Sequence, residues 1–183
     1  MALDINAIVS SAFMEMCEKK PVEKITVKDI LEKTGLSRKG FYNHFSDKNA
    51  LIHYCYDNII CPEWDCGLLD QDALEIWNRQ WLENMIKHKK FMKSACSIYE
   101  KNGLRDYILT KDRNDDILWY QSIINGELSE EYRLIIDYHA GACRYMIIEW
   151  VLEDMPVPPE TILELIRVNR KVVHEMLAPL LNK

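Results

Sequence analysis

The chain has 183 residues, 48% hydrophobic and 28% charged, with a formal net charge of −6. That length can bury a sizeable core, and that balance excludes disordered and fibrous classes in favour of a globular one. The charge is unevenly spread: residues 1–50 hold 8 Lys/Arg and 7 Asp/Glu, a net of +1, whereas residues 51–183 carry a net of −7.

Helix signals dominate in chain order. Ile5, Ile8, Val9, Ala12, Phe13 and Met16 recur at the i, i+3, i+4 spacing of an amphipathic helix, which must end before Pro21. Thr26 is a good N-cap with Asp29 three residues on, Val27, Ile30 and Leu31 face inward, and Gly35 supplies a C-cap. Ser37 caps a third, short helix in which Phe41 and Phe45 lie one turn apart. Ser46 or Asp47 caps a fourth, expected from about Lys48 to Ile60, and Asp47 and Asn49 are read as capping residues only. Longer helices follow, at about Asp72–Lys87, Lys89–Tyr99, Leu104–Ile124, Ser129–Glu153 and from Glu160 to near Pro179. Alternating β-branched runs are absent, so the expected class is all-α.

No apolar run approaches the roughly 18–20 residues of a membrane span. The start, MALDINAIVSSAFMEMC, lacks a basic leading segment and carries Asp4 and Glu15 within its apolar stretch, unlike a secretory signal, so a cytoplasmic protein without membrane contact is expected. Cys17, Cys55, Cys61, Cys66, Cys96 and Cys143 form no C-x-x-C pair and no zinc-ligand spacing, and read as reduced thiols with no metal and no cofactor.

Residues 26–45 have the plan of a helix-turn-helix: a bracing helix, the turn Thr34-Gly35-Leu36, and a second helix for the major groove. Val27, Ile30, Leu31, Leu36, Phe41 and Phe45 supply an apolar seam with Ile5, Ile8, Phe13 and Met16, which leaves Arg38, Lys39, Tyr42, Asn43 and His44 pointing outward. Arg and Lys can donate to guanine O6/N7, Asn can bond adenine bidentately, and Tyr or His can reach phosphate oxygens. The 24–48 stretch holds six bases against three acids, a local basic footprint that suits DNA despite the acidic remainder.

The run ITVKDILEKTGLSRKGFYNHFSDKNAL closely resembles the signature of the TetR family of bacterial regulators, including its aromatic–Tyr–x–His–Phe core at Phe41-Tyr42-Asn43-His44-Phe45. The resemblance implies that Thr26, Ser37, Arg38, Lys39, Tyr42, Asn43, His44 and Lys48 stand at positions that contact DNA, chiefly phosphate for Thr26, Tyr42 and Lys48. Gly40 departs from the usual Thr or Ala, and glycine costs a helix about 1 kcal/mol relative to alanine. The run YHAGACRYMIIEWVLEDMPVPPETILELI is loosely similar to the branch of the family that includes regulators of dihydroxyacetone kinase operons.

The domains expected are 1–50, binding DNA, and 51–183, a helical regulatory and dimerising part. In the penultimate helix Leu134, Ile135, Tyr138, Ala142, Tyr145, Met146, Ile147, Trp150 and Val151 leave almost no polar side, so burial on two sides is expected, one of them against a second copy. The last helix carries an apolar stripe through Ile162, Leu165, Ile166, Val172, Val173, Met176 and Leu177. An effector pocket is expected from Trp77, Trp81, Met85, Met92, Cys96, Tyr99, Trp119 and Tyr120, with His139 and Arg144 either anchoring an anion or pairing with Asp137 or Glu149. The competing reading of those aromatic and Met residues is plain core. No catalytic residue is assigned, because G-x-S-x-G, P-loop, H-E-x-x-H and Glu-x-x-His patterns are all missing. The expected function is therefore regulation of transcription, as a repressor, by a homodimer on double-stranded palindromic operator DNA. Its control would come from a small-molecule effector or, alternatively, from a partner protein.

Overall fold

Capping side chains set the helix boundaries in the computed structural model, which describes residues 4–63 and 71–181. Cys66 lies outside the described residues. Asp4 accepts from the Ala7 amide at 3.1 Å and opens α1, Ile5–Cys17. Thr26 and Asp29 form a reciprocal capping box (2.8 and 3.2 Å) at the start of α2, Val27–Thr34. The Asp29 carboxylate also accepts from Lys20 at 3.0 Å, and the Thr26 amide and that ammonium hold its pKa down to about 2. Gly35 ends the helix with φ 71°, the left-handed conformation that favours glycine. Ser37 accepts from the Gly40 amide at 3.0 Å to start α3, Arg38–Tyr42. Asp47, rather than Ser46, caps α4, Lys48–Cys55, by accepting from Ala50 at 2.8 Å.

The fourth helix does not run unbroken to Ile60. At Tyr56–Ile60 it widens to a π turn closed by the Cys61 amide on the Tyr56 carbonyl at 2.8 Å. Then come α5 (Gln71–Lys87), α6 (Lys89–Cys96), α7 (Leu104–Ile124), α8 (Glu130–Leu152) and α9 (Pro159–Leu181). No strand occurs among the described residues. Two ends differ from expectation: α6 stops at Cys96 rather than Tyr99, and Pro179 lies within α9 rather than at its end. Near a helix C-terminus proline can be carried, because the turn it weakens is the last.

Val9, Phe13, Val22, Ile25, Ile30, Phe41 and Phe45 are buried beneath the three N-terminal helices. Their cluster continues through Leu51, Cys55 and Tyr56 into Trp81, Leu82, Met85, Phe91, Met92 and Cys96. The expected boundary at residue 50 thus falls inside α4, and buried side chains are continuous across it. Ile8, expected in the seam, is 39% exposed. A second cluster, with Ile117, Tyr120, Ile136, Val173 and Leu177, joins α7, α8 and α9.

The stripe on α9 divides into two faces. Ile162, Ile166, Val173 and Leu177 are buried against the chain's own helices, whereas Leu165, Val168, Val172 and Met176 stand out at spacings of three and four residues. On α8 the same division leaves Leu134, Tyr138 and Tyr145 at 62%, 82% and 66% exposure, with Ala142 exposed between them. An added Cβ on Gly141 would meet nothing within 4 Å. Two adjacent helices therefore carry an uncovered apolar face.

Candidate functional site

The short helix α3 is braced from below and bare above. Phe41 is fully buried with Phe45 beside it, ring centroids 5.6 Å apart, and Phe45 meets the Tyr54 ring edge-on at 5.5 Å. This anchoring turns Arg38, Lys39, Tyr42 and Asn43 outward, and all four are exposed. The Arg38 guanidinium lies 5.7 Å from the centroid of the Tyr42 ring, a cation–π contact that groups the two side chains. Thr26 and Ser37 are exposed caps whose hydroxyls accept from their own helices. A hydroxyl accepting in that way still has its proton to donate.

Two of the expected contact residues have partners inside the protein. The His44 ring lies 2.8 Å from Asn6 Oδ1, which ties the turn that follows α3 to α1. Lys48 Nζ donates to the carbonyls of Val22 at 3.0 Å and Ile25 at 3.1 Å, part-buried beneath the Val22–Lys24 turn. Asn49, read from sequence as a capping residue, instead donates to the Glu100 carboxylate at 2.9 Å. His53 stacks on Tyr107 (4.0 Å between centroids, 8° between planes) and bonds the Asn102 carbonyl at 3.0 Å. The Val22 amide donates to Ser94 Oγ at 2.7 Å. The N-terminal helices are thereby fixed to α6, α7 and the loop between them.

A cavity of about 460 Å³ opens between the π turn, α5, α7, α8 and α9. Leu74, Trp77, Leu118 and Trp119 give it apolar walls, while Asp57, Glu63, Lys111, Asp115, Asp116, Arg144 and Arg170 give it charge. Of the residues expected to line a pocket, Trp77, Trp119 and Arg144 do so. Trp81, Met85, Met92, Cys96, Tyr120 and His139 are instead buried core, and Tyr99 is 79% exposed with Arg105 4.2 Å from its ring centroid. Aromatic and thioether side chains at helical spacing served packing here, and the cavity's charged wall was missed. Its signal was present in α7, where Lys111, Asp115 and Asp116 interrupt any continuous apolar stripe ahead of Leu118 and Trp119.

Of the acids proposed as partners for Arg144 or His139, Asp137 binds Arg113 at 2.5 Å and Glu149 faces Arg105 at 3.8 Å. The Arg144 guanidinium lies 5.0 Å from the Trp81 ring centroid, and burial lowers its pKa to about 10. Lys111 pairs with Asp115 at 3.2 Å. Asp57 accepts from the Tyr107 hydroxyl through one oxygen, and the other is enclosed without a partner. Burial raises the Asp116 carboxyl to about 6 against the pull of Arg170. His139 is pushed down to about 4, first by burial and then by Arg170 and His174. Among the described residues no group of three His, Cys, Asp or Glu could hold a metal ion, and no helix is long and apolar enough to cross a membrane.

Residues 8–55 match the family of bacterial regulatory proteins of the TetR type, and residues 74–169, over half of the chain, match the transcriptional regulator C-terminal region. Among curated proteins none matches the sequence. The solved structure of dihydroxyacetone kinase operon activator DhaS is similar at a TM-score of 0.61 and 16% identity, covering 96% of this chain and 97% of that one. At that identity the likeness concerns the fold. The helix-turn-helix with its exposed basic face, the all-helical body and both family matches agree: this chain belongs to the TetR family of transcriptional regulators and carries that family's DNA-binding domain at its N-terminus.

Proposed function

We propose that the protein is a homodimeric repressor that reads a palindromic operator with α3 and is controlled through the cavity in its C-terminal part. The observation that carries the reading is the division of α3 into a buried aromatic side and an exposed side made of Arg38, Lys39, Tyr42 and Asn43. Arg38, Lys39 and Asn43 read base edges, and Thr26, Ser37 and Tyr42 hold phosphates, with His44 fixing the entry of α3 through Asn6. Lys48 is reassigned. With two donors committed to Val22 and Ile25 carbonyls, it braces the turn ahead of α2. Residues 1–50 form the reading head and 51–183 the regulatory part, with α4 as the shared bridge.

The dimer forms where α8 and α9 leave their apolar faces uncovered. An isologous pairing packs four helices and covers Leu134, Tyr138, Tyr145, Leu165, Val168, Val172 and Met176 on both copies at once. Ala142 and Gly141 allow the close approach of helices at its centre. Two heads then address half-sites about 34–36 Å apart. A dimer seated on a promoter excludes polymerase by occupancy, which is the physical basis for repression. A cavity with polar and apolar walls favours a small-molecule effector over a partner protein as the controlling ligand.

The test is selection of bound duplexes from a randomised pool by the purified protein, with its mass measured by sedimentation. An inverted repeat with half-sites one turn apart, recovered by a dimer, is expected. Recovery of no common sequence, or a monomer at micromolar concentration, contradicts the proposal.

A further inference from the structure

The charged side chains described along the cavity are Asp57, Glu63, Asp115 and Asp116 against Lys111, Arg144 and Arg170. Four acids face three bases, so the wall carries a net charge of −1 when all are ionised. Arg144 enters that balance at its full charge, and an acid that met it from outside this set would make the wall only more negative. Lys111 and Asp115 satisfy each other at 3.2 Å. Asp57 accepts from Tyr107 through one oxygen, and its other oxygen is enclosed and out of a ligand's reach. Asp116 differs from both. It stands half-buried on the cavity wall, and among the described residues it makes no hydrogen bond and no ion pair. Arg170 attracts it from beyond ion-pair distance and lies 5.7 Å from the Trp119 ring centroid. A carboxylate screened from water without a donor is costly, and the same screening strengthens its attraction for a cation. An anion entering the cavity makes the wall more negative, and a zwitterion leaves its net charge as it was. A monocation brings it to zero.

We propose that the cavity binds a small organic monocation, an aromatic primary amine whose ammonium group donates to the Asp116 carboxylate. Its ring would rest against Leu74 and Trp77 of α5 and Leu118 of α7, the apolar part of the wall. Indole faces such as that of Trp77 also attract a cation, which an uncharged ligand of the same shape would not exploit. The cavity's volume, about 460 Å³, falls in the range of about 300–1,000 Å³ that small-ligand pockets occupy. This inference rests on the reading of the cavity as the effector site. It also supplies a route to the DNA-binding head, since Asp116 stands on α7 and Tyr107, earlier on the same helix, stacks on His53 of α4.

The experiment is calorimetric titration of the full-length protein with tryptamine, phenethylamine and tyramine. The best of these is then compared with its amino acid, with the alcohol that replaces the ammonium by a hydroxyl, and with the corresponding carboxylic acid. The expected result is saturable binding of at least one amine, one molecule per chain, with each of the three comparison compounds tenfold or more weaker. Asp116→Asn, nearly the same shape without the charge, should weaken the amine tenfold or more and leave the alcohol unchanged. If that variant fails to fold, as judged by circular dichroism, the ligand series on the wild-type protein decides alone. Absence of heat with all three amines overturns the proposal, as does equal or tighter binding of the amino acid, the alcohol or the acid. A folded Asp116→Asn protein that keeps the wild-type affinity for the amine overturns it too. Operator affinity is measured on the same preparation. An amine that binds without changing it removes the effector reading and leaves the ligand class standing, whereas failure to bind operator at all removes the DNA-binding assignment independently.

Discussion

Replacing Lys48 by methionine keeps most of the apolar stem and deletes the ammonium that bridges the Val22 and Ile25 carbonyls at 3.0 and 3.1 Å. Hydrogen bonds from a charged donor contribute about 1.5–3 kcal/mol each, and a part-buried site belongs at the low end, so the pair is worth about 3 kcal/mol. For a chain of this size each kcal/mol moves Tm by about 2–4 °C, which gives a drop of roughly 6–12 °C. Thermal unfolding by circular dichroism reads that loss. The second readout is the salt dependence of operator binding. A lysine that neutralises a phosphate contributes about 0.9 to the slope of log K against log salt, and one committed to protein carbonyls contributes almost nothing. A variant with wild-type Tm and a slope reduced by about one would refute the structural role and restore the phosphate contact implied by the family resemblance.

Tyr42→Phe should lower affinity for operator and random DNA by a similar factor, seen in fluorescence anisotropy; a change in sequence preference would mean the hydroxyl meets a base. Val172→Glu and Val173→Glu separate interface from core, since the two neighbours are 49% and 3% exposed. The first should give a folded monomer by sedimentation and the second an unfolded chain, because only the second places a charge inside the protomer; a dimeric Val172→Glu protein would move the interface elsewhere. Phe41→Ala should cost about 3–5 kcal/mol in denaturant unfolding, as expected for a buried aromatic; a loss below about 1 kcal/mol would mean the site collapses freely. His139 titrates near 6.5 when unfolded and is pushed to about 4 by burial, so the unfolded chain takes up the proton first. Its contribution to stability is therefore complete above pH 6.5 and lost as pH falls toward 4, and His139→Gln should flatten the unfolding free energy over that window.

The N-terminal helices were legible because their signals are local. A capping box at Thr26 and Asp29, a left-handed glycine at Gly35 and a Ser37 cap each act within four residues, and each stands where the sequence places it. The body was legible as helices but not as faces. Whether Val172 or Val173 points outward depends on which neighbour α9 packs against, and a stripe broad enough for both leaves the choice to tertiary contacts. The π turn at Tyr56–Ile60 was hidden for a related reason: Tyr56, Asp57 and Ile60 fit an ordinary helix equally well. The aromatic residues assigned to a pocket show the same ambiguity, since burial selects Trp81 and Met85 for packing as readily as a ligand would. The charged wall came from four separate segments of chain, which no local pattern could join.

The account stands most directly on α3 as the element that reads sequence. Its test is the affinity of the wild-type protein and of an Arg38→Ala/Lys39→Ala double variant for the selected operator and for a random duplex, across a salt series. The wild type should bind the operator far more tightly, with a steep salt dependence. In the variant each lost base contact should remove about 1–3 kcal/mol from operator binding. Affinity for random DNA should fall much less, so the ratio between the two collapses. A variant that keeps the wild-type ratio of operator to random affinity would contradict the assignment of α3 as the reading helix.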